Sequence, residues 1–172
     1  MLLVDNINIL KITYPYTWDR LKSLEEAMDK ELLQVEKTRK GDKTLSIKKD
    51  EKKTYIHSKY NPIREAEAII EQYEDIKNDT TVIFYGTGLG YHIDLLLKKH
   101  PKINYYIYEP VPEMLYTYLS NKSIKDLPNK NLKNMVLSNS KDETANFLSN
   151  LIDKNRGNVL LIELPIHKQI FD

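Results

Sequence analysis

The sequence predicts an α/β protein in which a truncated Rossmann-like parallel sheet with helices follows a small subdomain made of a helix and an antiparallel β-meander. In the second half of the chain, four apolar runs alternate with segments of helical periodicity, which is typical of parallel strands joined by helical crossovers. In the first half, three segments alternate apolar with polar residues and are separated by turn-forming sequences. We therefore assign the two domains to residues 1–60 and 61–172.

Composition narrows the class of protein. The chain has 172 residues, of which 41% are hydrophobic and 30% charged, so it is long enough to bury a core. Lys and Arg number 26 against 25 Asp and Glu, which leaves no overall field to attract nucleic acid or a membrane surface. There is no cysteine, the residues Met1 to Asp5 are not basic, and no apolar run reaches membrane-spanning length. We expect a cytoplasmic protein with neither nucleic acid nor membrane as a partner.

The first subdomain combines a helix with the meander. Apolar residues recur at helical spacing from Thr17 to about Lys30, and the three alternating segments are Leu32–Thr38, Thr44–Lys48 and Lys53–His57. Between Lys37 and Thr54 there are eight Lys or Arg residues against three acidic ones. We interpret these lysines as the solvated face of the meander, which protects its edges from pairing, rather than as a nucleic-acid interface.

The second domain opens with a helix that begins at Asn61-Pro62, a capping residue followed by proline. No helix is predicted after the fourth strand, and four strands are few for such a sheet, so we expect the N-terminal part of a longer protein. The remaining elements are predicted in this order: strand Thr81–Tyr85, helix Tyr91–Lys99, strand Asn104–Tyr108, helix Pro112–Leu119, strand Asn134–Ser138, helix Asp142–Lys154 and strand Asn158–Leu164.

A glycine-rich turn follows the first apolar strand of this domain. Gly86, Gly88 and Gly90 allow a tight turn and a close approach of the backbone to a ligand, and the helix behind them favours an anion. Glu109 ends the next strand, where an acidic side chain accepts ribose hydroxyls. Tyr91 stands where the dinucleotide pattern requires its third glycine. A dinucleotide site is therefore not predicted.

The glycine spacing resembles the first motif of S-adenosylmethionine-dependent methyltransferases, with Glu109 in the place of their ribose-binding acid. Phe84 departs from that motif, because those enzymes usually carry an acidic residue there. The alternative is that the glycines only form a sharp turn and that Glu109 caps the following helix. His92 lies one turn into the helix after the loop and is predicted to face the ligand pocket beside the glycines. It would act there as a general acid or base, and the alternative is a hydrogen-bonded structural residue.

A second polar cluster surrounds the start of the helix at Pro62. The cluster runs from His57 to Ala66, and its hydroxyl, imidazole, ammonium and guanidinium groups suit a phosphate or carboxylate. The alternative is a capped helix beside a solvated loop. No histidine pair has metal-ligand spacing and no nucleophilic serine elbow occurs, so neither a metal site nor serine nucleophile chemistry is predicted. The candidate anion-binding residues are Ser58, Lys59, Tyr60, Asn61 and Arg64.

Together the two clusters resemble the N-terminal domain of the motility associated factor (Maf) glycosyltransferases. The shared residues are Ser58 through Ala66, the loop Gly86–His92 and Tyr108-Glu109-Pro110, and the match spans about Lys53 to Ser120. The resemblance implies a protein that attaches nonulosonic, sialic-acid-like sugars to flagellin. The Gly-Pro-Ser type motif of the family's central sugar-transfer domain is absent from this sequence. We therefore expect a non-catalytic domain for ligand binding or docking, whose ligand would be a nucleotide-sugar or S-adenosylmethionine-like molecule.

Two other functions are compatible with these residues. One is a methyltransferase-like enzyme that binds S-adenosylmethionine at Gly86–Gly90 and Glu109. The other is an interaction module that docks flagellin or the remaining domains of its own chain and needs no ligand. Self-association into a homo-oligomer is also left open. A pocket at the carboxyl ends of the strands would favour a ligand, and an apolar patch at the edge after Leu164 would favour docking.

Overall fold

The computed structural model describes residues 1–156 and 158–171, which form an α/β fold with one antiparallel and one parallel sheet. The predicted fold class is confirmed. In chain order, the helices and strands are α1 (Val4–Thr13), α2 (Pro15–Leu24), β1 (Leu33–Lys37), β2 (Lys43–Lys49), β3 (Lys52–Tyr55), α3 (Pro62–Ile70), β4 (Thr81–Tyr85), α4 (Tyr91–Lys99), β5 (Asn104–Glu109), α5 (Pro112–Asn121), β6 (Leu132–Leu137), α6 (Lys141–Lys154), β7 (Val159–Glu163) and α7 (Pro165–Phe171).

The antiparallel sheet has the predicted meander order β1-β2-β3. The turn between β2 and β3 consists of Asp50 and Glu51, whose φ angles are 49° and 63°. Two consecutive residues with positive φ match the right-handed twist of a hairpin and let the strands pair directly. Leu45 and Ile47 of β2 are buried and, with Ile56, form the core of this sheet.

The parallel sheet has the order β6-β5-β4-β7. Counted from β4, this is the strand order 3-2-1-4 found in Rossmann-like folds. Val82 and Phe84 of β4 pack with residues of α4 and α5, whereas Ile83 packs with Leu151 of α6 on the opposite face. The connections change direction between β4 and β7, and a ligand crevice in such a sheet is expected at the carboxyl ends of those strands.

The N-terminal helices pack on the core of the parallel sheet. Leu10, Tyr14 and Leu21 belong to the same buried cluster as Val82 and Phe84. The sequence predicted one helix from Thr17 to about Lys30, which is wrong in its bounds. The structure has α1, a break at Tyr14, and α2 with Pro15 in its first turn, followed by a 3-10 turn over Glu25–Ala27. Proline lacks the N–H that would continue α1, so a new helix starts there.

A further helix, α7, follows β7, and the expectation that no helix would follow this strand is wrong. Ile166 and Ile170 of α7 pack against the core cluster of the antiparallel sheet. The helix therefore turns back toward the glycine loop, while β7 is the edge strand of its sheet among the described residues. Among the described residues, none of the helices combines the length and the apolar character required to cross a bilayer.

Candidate functional site at the glycine loop

The glycine loop connects β4 to α4 at the carboxyl edge of the parallel sheet. Gly86 N–H donates to the carbonyl of Tyr108 over 2.9 Å, which continues the pairing of β4 with β5 by one residue. Gly90 N–H donates to the carbonyl of Thr87 over 2.9 Å and closes the turn into α4. The loop therefore has the predicted strand-turn-helix geometry.

His57, from the segment after β3, lies directly on Gly88. Leu89 N–H donates to His57 Nε2 over 2.9 Å, so we assign the ring proton to Nδ1, which lies 3.5 Å from Glu65 Oε1. A Cβ atom on Gly88 would come within 2.5 Å of His57 Nε2, and Gly88 has a φ of +50°. Glycine is required at this position because the imidazole occupies the space of a side chain.

His167, from α7, fills the corresponding space at Gly86. A Cβ atom on Gly86 would lie 2.9 Å from His167 Cδ2. The imidazole is fully buried, packs edge-to-face on Tyr85 at a centroid distance of 5.9 Å, and places Nε2 3.4 Å from Glu109 Oε2. The third glycine, Gly90, faces the ring of Tyr118 in the same way. All three glycines are thus in contact with side chains of the chain itself.

Glu109, the predicted ribose-binding acid, is fully buried and hydrogen-bonded within the protein. Its Oε1 accepts the N–H of Thr87 over 2.9 Å and the Thr87 hydroxyl over 3.2 Å. Its Oε2 accepts the N–H of Val111 over 2.9 Å and faces His167. The carboxylate therefore ties the glycine loop to the start of α5. This arrangement matches the alternative in which Glu109 serves the following helix.

His92 is fully buried behind the loop. The pKa of His92 is lowered to about 3. Burial is the main cause and the nearby His57 is the second, while the Gly86 backbone has a smaller opposing effect. Its ring packs edge-to-face on Phe84 at a centroid distance of 5.8 Å. The imidazole is neutral at neutral pH and packs in the core. It contacts Phe84, the residue that departs from the methyltransferase motif.

The second predicted cluster forms a turn and a helix cap. Asn61 Oδ1 accepts the N–H of Arg64 over 3.0 Å, which confirms the predicted helix start. Ser58 Oγ accepts the N–H groups of Tyr60 and Asn61, each over 3.1 Å. The ammonium of Lys59 lies 5.0 Å from the centroid of the Tyr60 ring, and this tyrosine is exposed. The oxygens of this cluster serve local backbone groups, and its cations face solvent.

The sequence places His57 in the polar cluster before α3 and assigns no role to His167. His57 and His167 both touch the glycine loop, yet no local pattern links either of them to it. The contact of His57 with Leu89 spans 32 residues and that of His167 with Glu109 spans 58. The one sequence signal is that His57 begins the second polar cluster, which the family resemblance pairs with the glycine loop.

The described part of the chain shows no cluster of three or more His, Asp or Glu side chains arranged to hold a metal ion. A cleft of about 580 Å³ lies elsewhere, between the segment after α2, β1 and α5. None of the predicted site residues lines this cleft. The geometry of the glycine loop is that of a packed junction, in which three segments distant in sequence meet at one turn.

Comparison with known proteins identifies the relatives of this chain. Residues 14–121 match the family described as glycosyltransferase Maf N-terminal domain. Among solved structures, the Maf glycosyltransferase from Magnetospirillum magneticum AMB-1 has a similar fold, with a TM-score of 0.63 and 14% sequence identity. That similarity covers 91% of this chain and 31% of the solved chain. No curated protein matches the sequence.

Proposed function

This chain belongs to the family of Maf glycosyltransferase N-terminal domains, and we propose that it serves as the non-catalytic docking domain of an enzyme that attaches nonulosonic sugars to flagellin. Its partners in this proposal are flagellin or the remaining domains of a Maf glycosyltransferase. A cytoplasmic location belongs to the same proposal, and a chain without cysteine is compatible with a reducing compartment.

The packed glycine loop is the observation that carries the non-catalytic role. A ribose or phosphate at this turn would need the space that His57 and His167 occupy. Glu109 would have to give up its bonds to Thr87 and Val111 before it could accept ribose hydroxyls. Breaking buried, charge-assisted hydrogen bonds costs about 1.5–3 kcal/mol each. The loop is therefore better suited to hold the fold together than to bind a cofactor.

The same geometry weighs against a methyltransferase-like enzyme. Phe84 and the neutral His92 pack together where a methyl-donor site would offer an acidic group. A calorimetric titration of the chain with S-adenosylmethionine is expected to give no binding heat. Saturable heat that disappears in the Glu109→Ala variant would instead establish the methyltransferase alternative.

A direct test of the proposal has two parts. Purified chain, flagellin and a nucleotide-activated nonulosonate are expected to yield no glycosylated flagellin, and transfer by this chain alone would overturn the non-catalytic role. Deletion of the gene in the source organism is expected to remove the nonulosonate masses from flagellin peptides in mass spectrometry. Flagellin of unchanged mass after deletion would contradict the link to flagellin.

A further inference from the structure

Among the described strands, the two sheets end in four edge strands, β1, β3, β6 and β7. Of these, β7 lacks the residues that keep an edge from pairing with another strand. β7 pairs with β4 and no described strand lies on its other side. Its sequence, Val-Leu-Leu-Ile-Glu, contains neither lysine nor proline, the residues that proteins commonly use to keep edges from pairing. The other edge strands, β1, β3 and β6, all carry exposed lysines: Lys37, Lys52, Lys53 and Lys133.

The backbone groups at this edge are positioned to accept another strand. Thr81 N–H donates to the carbonyl of Asn158 over 2.9 Å, so Leu160 and Ile162 direct their backbone groups toward β4. By alternation, Val159 and Leu161 direct theirs toward the free edge. The Leu161 side chain is 42% exposed, which is unusual for an apolar residue in a parallel sheet.

Two clefts run beside this strand, and together we call them the β7 edge groove. One has a volume of about 470 Å³ and contacts Asn158, Val159 and Leu160 at the start of β7. The other has a volume of about 240 Å³ and contacts Leu164 and Ile166 just after β7. Both are lined by Gln72, so the two clefts flank β7, one at its start and one just beyond its end.

The groove is strongly acidic. Its described lining residues include four carboxylates and neither lysine nor arginine, and the acidic residues are Glu65, Glu71, Glu74 and Asp75. A second copy of this chain paired through its own β7 would bring two such acidic linings together. Like charges at close range disfavour that arrangement, and the same charges attract a basic partner.

We infer that the β7 edge groove binds an extended polypeptide segment that carries alternating apolar residues flanked by lysine or arginine and that pairs with β7 as a fifth strand. Strand addition of this kind takes its affinity from main-chain hydrogen bonds and its specificity from the flanking side chains. In a Rossmann-like sheet, the position beside the fourth strand is the place of another strand. The inference deepens the proposed docking role and rests on it.

Peptide binding tests the inference without any sugar-transfer assay. The probe is a fluorescein-labelled decapeptide, Lys-Lys-Thr-Val-Thr-Val-Thr-Val-Lys-Lys, titrated by fluorescence anisotropy at about 0.05 M and about 0.5 M NaCl. We expect saturable binding that weakens at high salt. A matched peptide with glutamate in place of every lysine, and a lysine peptide N-methylated at alternate amides, are expected to bind at least about tenfold more weakly.

Two sets of protein variants assign the binding to the groove. Leu161→Pro removes an outward N–H without removing a bond to β4, and we expect at least about tenfold weaker binding. Leu161→Thr keeps that N–H and is expected to bind within about threefold of the original chain. Circular dichroism checks that both variants fold. If Leu161→Pro does not fold, the N-methylated peptide still tests whether binding needs main-chain hydrogen bonds.

The charge contribution is tested with two triple variants. Glu71→Gln, Glu74→Gln and Asp75→Asn together are expected to weaken binding at least about fivefold at low salt and to flatten its salt dependence. The control changes three exposed acids outside the groove, Asp19→Asn, Glu26→Gln and Glu31→Gln, and is expected to leave binding unchanged.

Three outcomes would overturn the inference: no binding of the lysine peptide, equal binding of the glutamate peptide, or full binding by a folded Leu161→Pro variant. A failed sugar-transfer prediction leaves these outcomes unaffected, so the two proposals fail separately.

Discussion

The glycine loop and the β7 edge groove differ in whether a sequence motif coincides with an accessible binding surface. The loop carries the motif that suggests a ligand, yet His57 and His167 fill the space above its glycines. The groove flanks a strand that shows no motif, yet it is acidic, and no strand of the described residues covers the outer edge of β7. Glycines can therefore be required for contact with the protein's own side chains as well as for contact with a ligand.

The largest expected effect concerns Gly88. Gly88→Ala should destabilise the fold by about 3 kcal/mol, because left-handed strain adds to a clash with the His57 ring. The matched control is Gly41→Ala, where φ is +92° but nothing lies within 4 Å of the added methyl group. That variant should lose only about 1 kcal/mol. Urea denaturation measures both, and equal losses would show that the loop is not tightly packed.

His92 makes stability dependent on pH. Its folded pKa of about 3 lies below the value of 6.5 for an unperturbed histidine, so the unfolded chain takes up the proton first as the pH falls. The contribution to stability is therefore lost from about pH 6.5 down to about pH 3. Between pH 7 and pH 5 the expected loss from His92 is about 2 kcal/mol. His92→Leu should remove that part of the slope in denaturation experiments, and an unchanged slope would contradict a buried, neutral imidazole.

Glu109 distinguishes a structural carboxylate from a ligand-binding one. Glu109→Gln should lower the free energy of unfolding by about 2 kcal/mol, because an amide cannot accept the hydrogen bonds from both Thr87 and Val111 equally well. Glu67→Gln, on an exposed face of α3, should change it by less than about 0.5 kcal/mol. A stable Glu109→Gln variant would return the glycine loop to consideration as a ligand site.

The smallest expected effect on stability is at the β7 edge. Leu161→Lys should change the free energy of unfolding by less than about 0.5 kcal/mol, because the leucine is already 42% exposed. It should nevertheless slow aggregation on mild heating, since a lysine protects an edge strand. Lys133→Leu on β6 should have the opposite effect. Light scattering follows both, and indistinguishable aggregation rates would show that edge lysines do not set the behaviour of these strands.

Much of the fold was predictable because its signals are local. The bounds of β4 and α4 agree residue for residue with the prediction, since an apolar run, a glycine turn and a helical stripe follow one another there. α1 was missed because its apolar residues do not form a clear stripe, and Asn6 holds it in place through bonds to the carbonyls of Leu119 and Lys122. α7 was missed because seven residues carry too little pattern to indicate a helix.

The order and type of most strands and helices, the capped start of α3 and the resemblance to Maf N-terminal domains follow from the amino-acid sequence alone. Those features depend on residues that are neighbours along the chain, where periodicity and capping preferences act. Two features emerge only from the folded chain: His57 and His167 fill the glycine loop, and β7 has a free outer edge among the described strands. Both features depend on which distant segments meet in space. A local sequence pattern carries no information about the free energy of that packing.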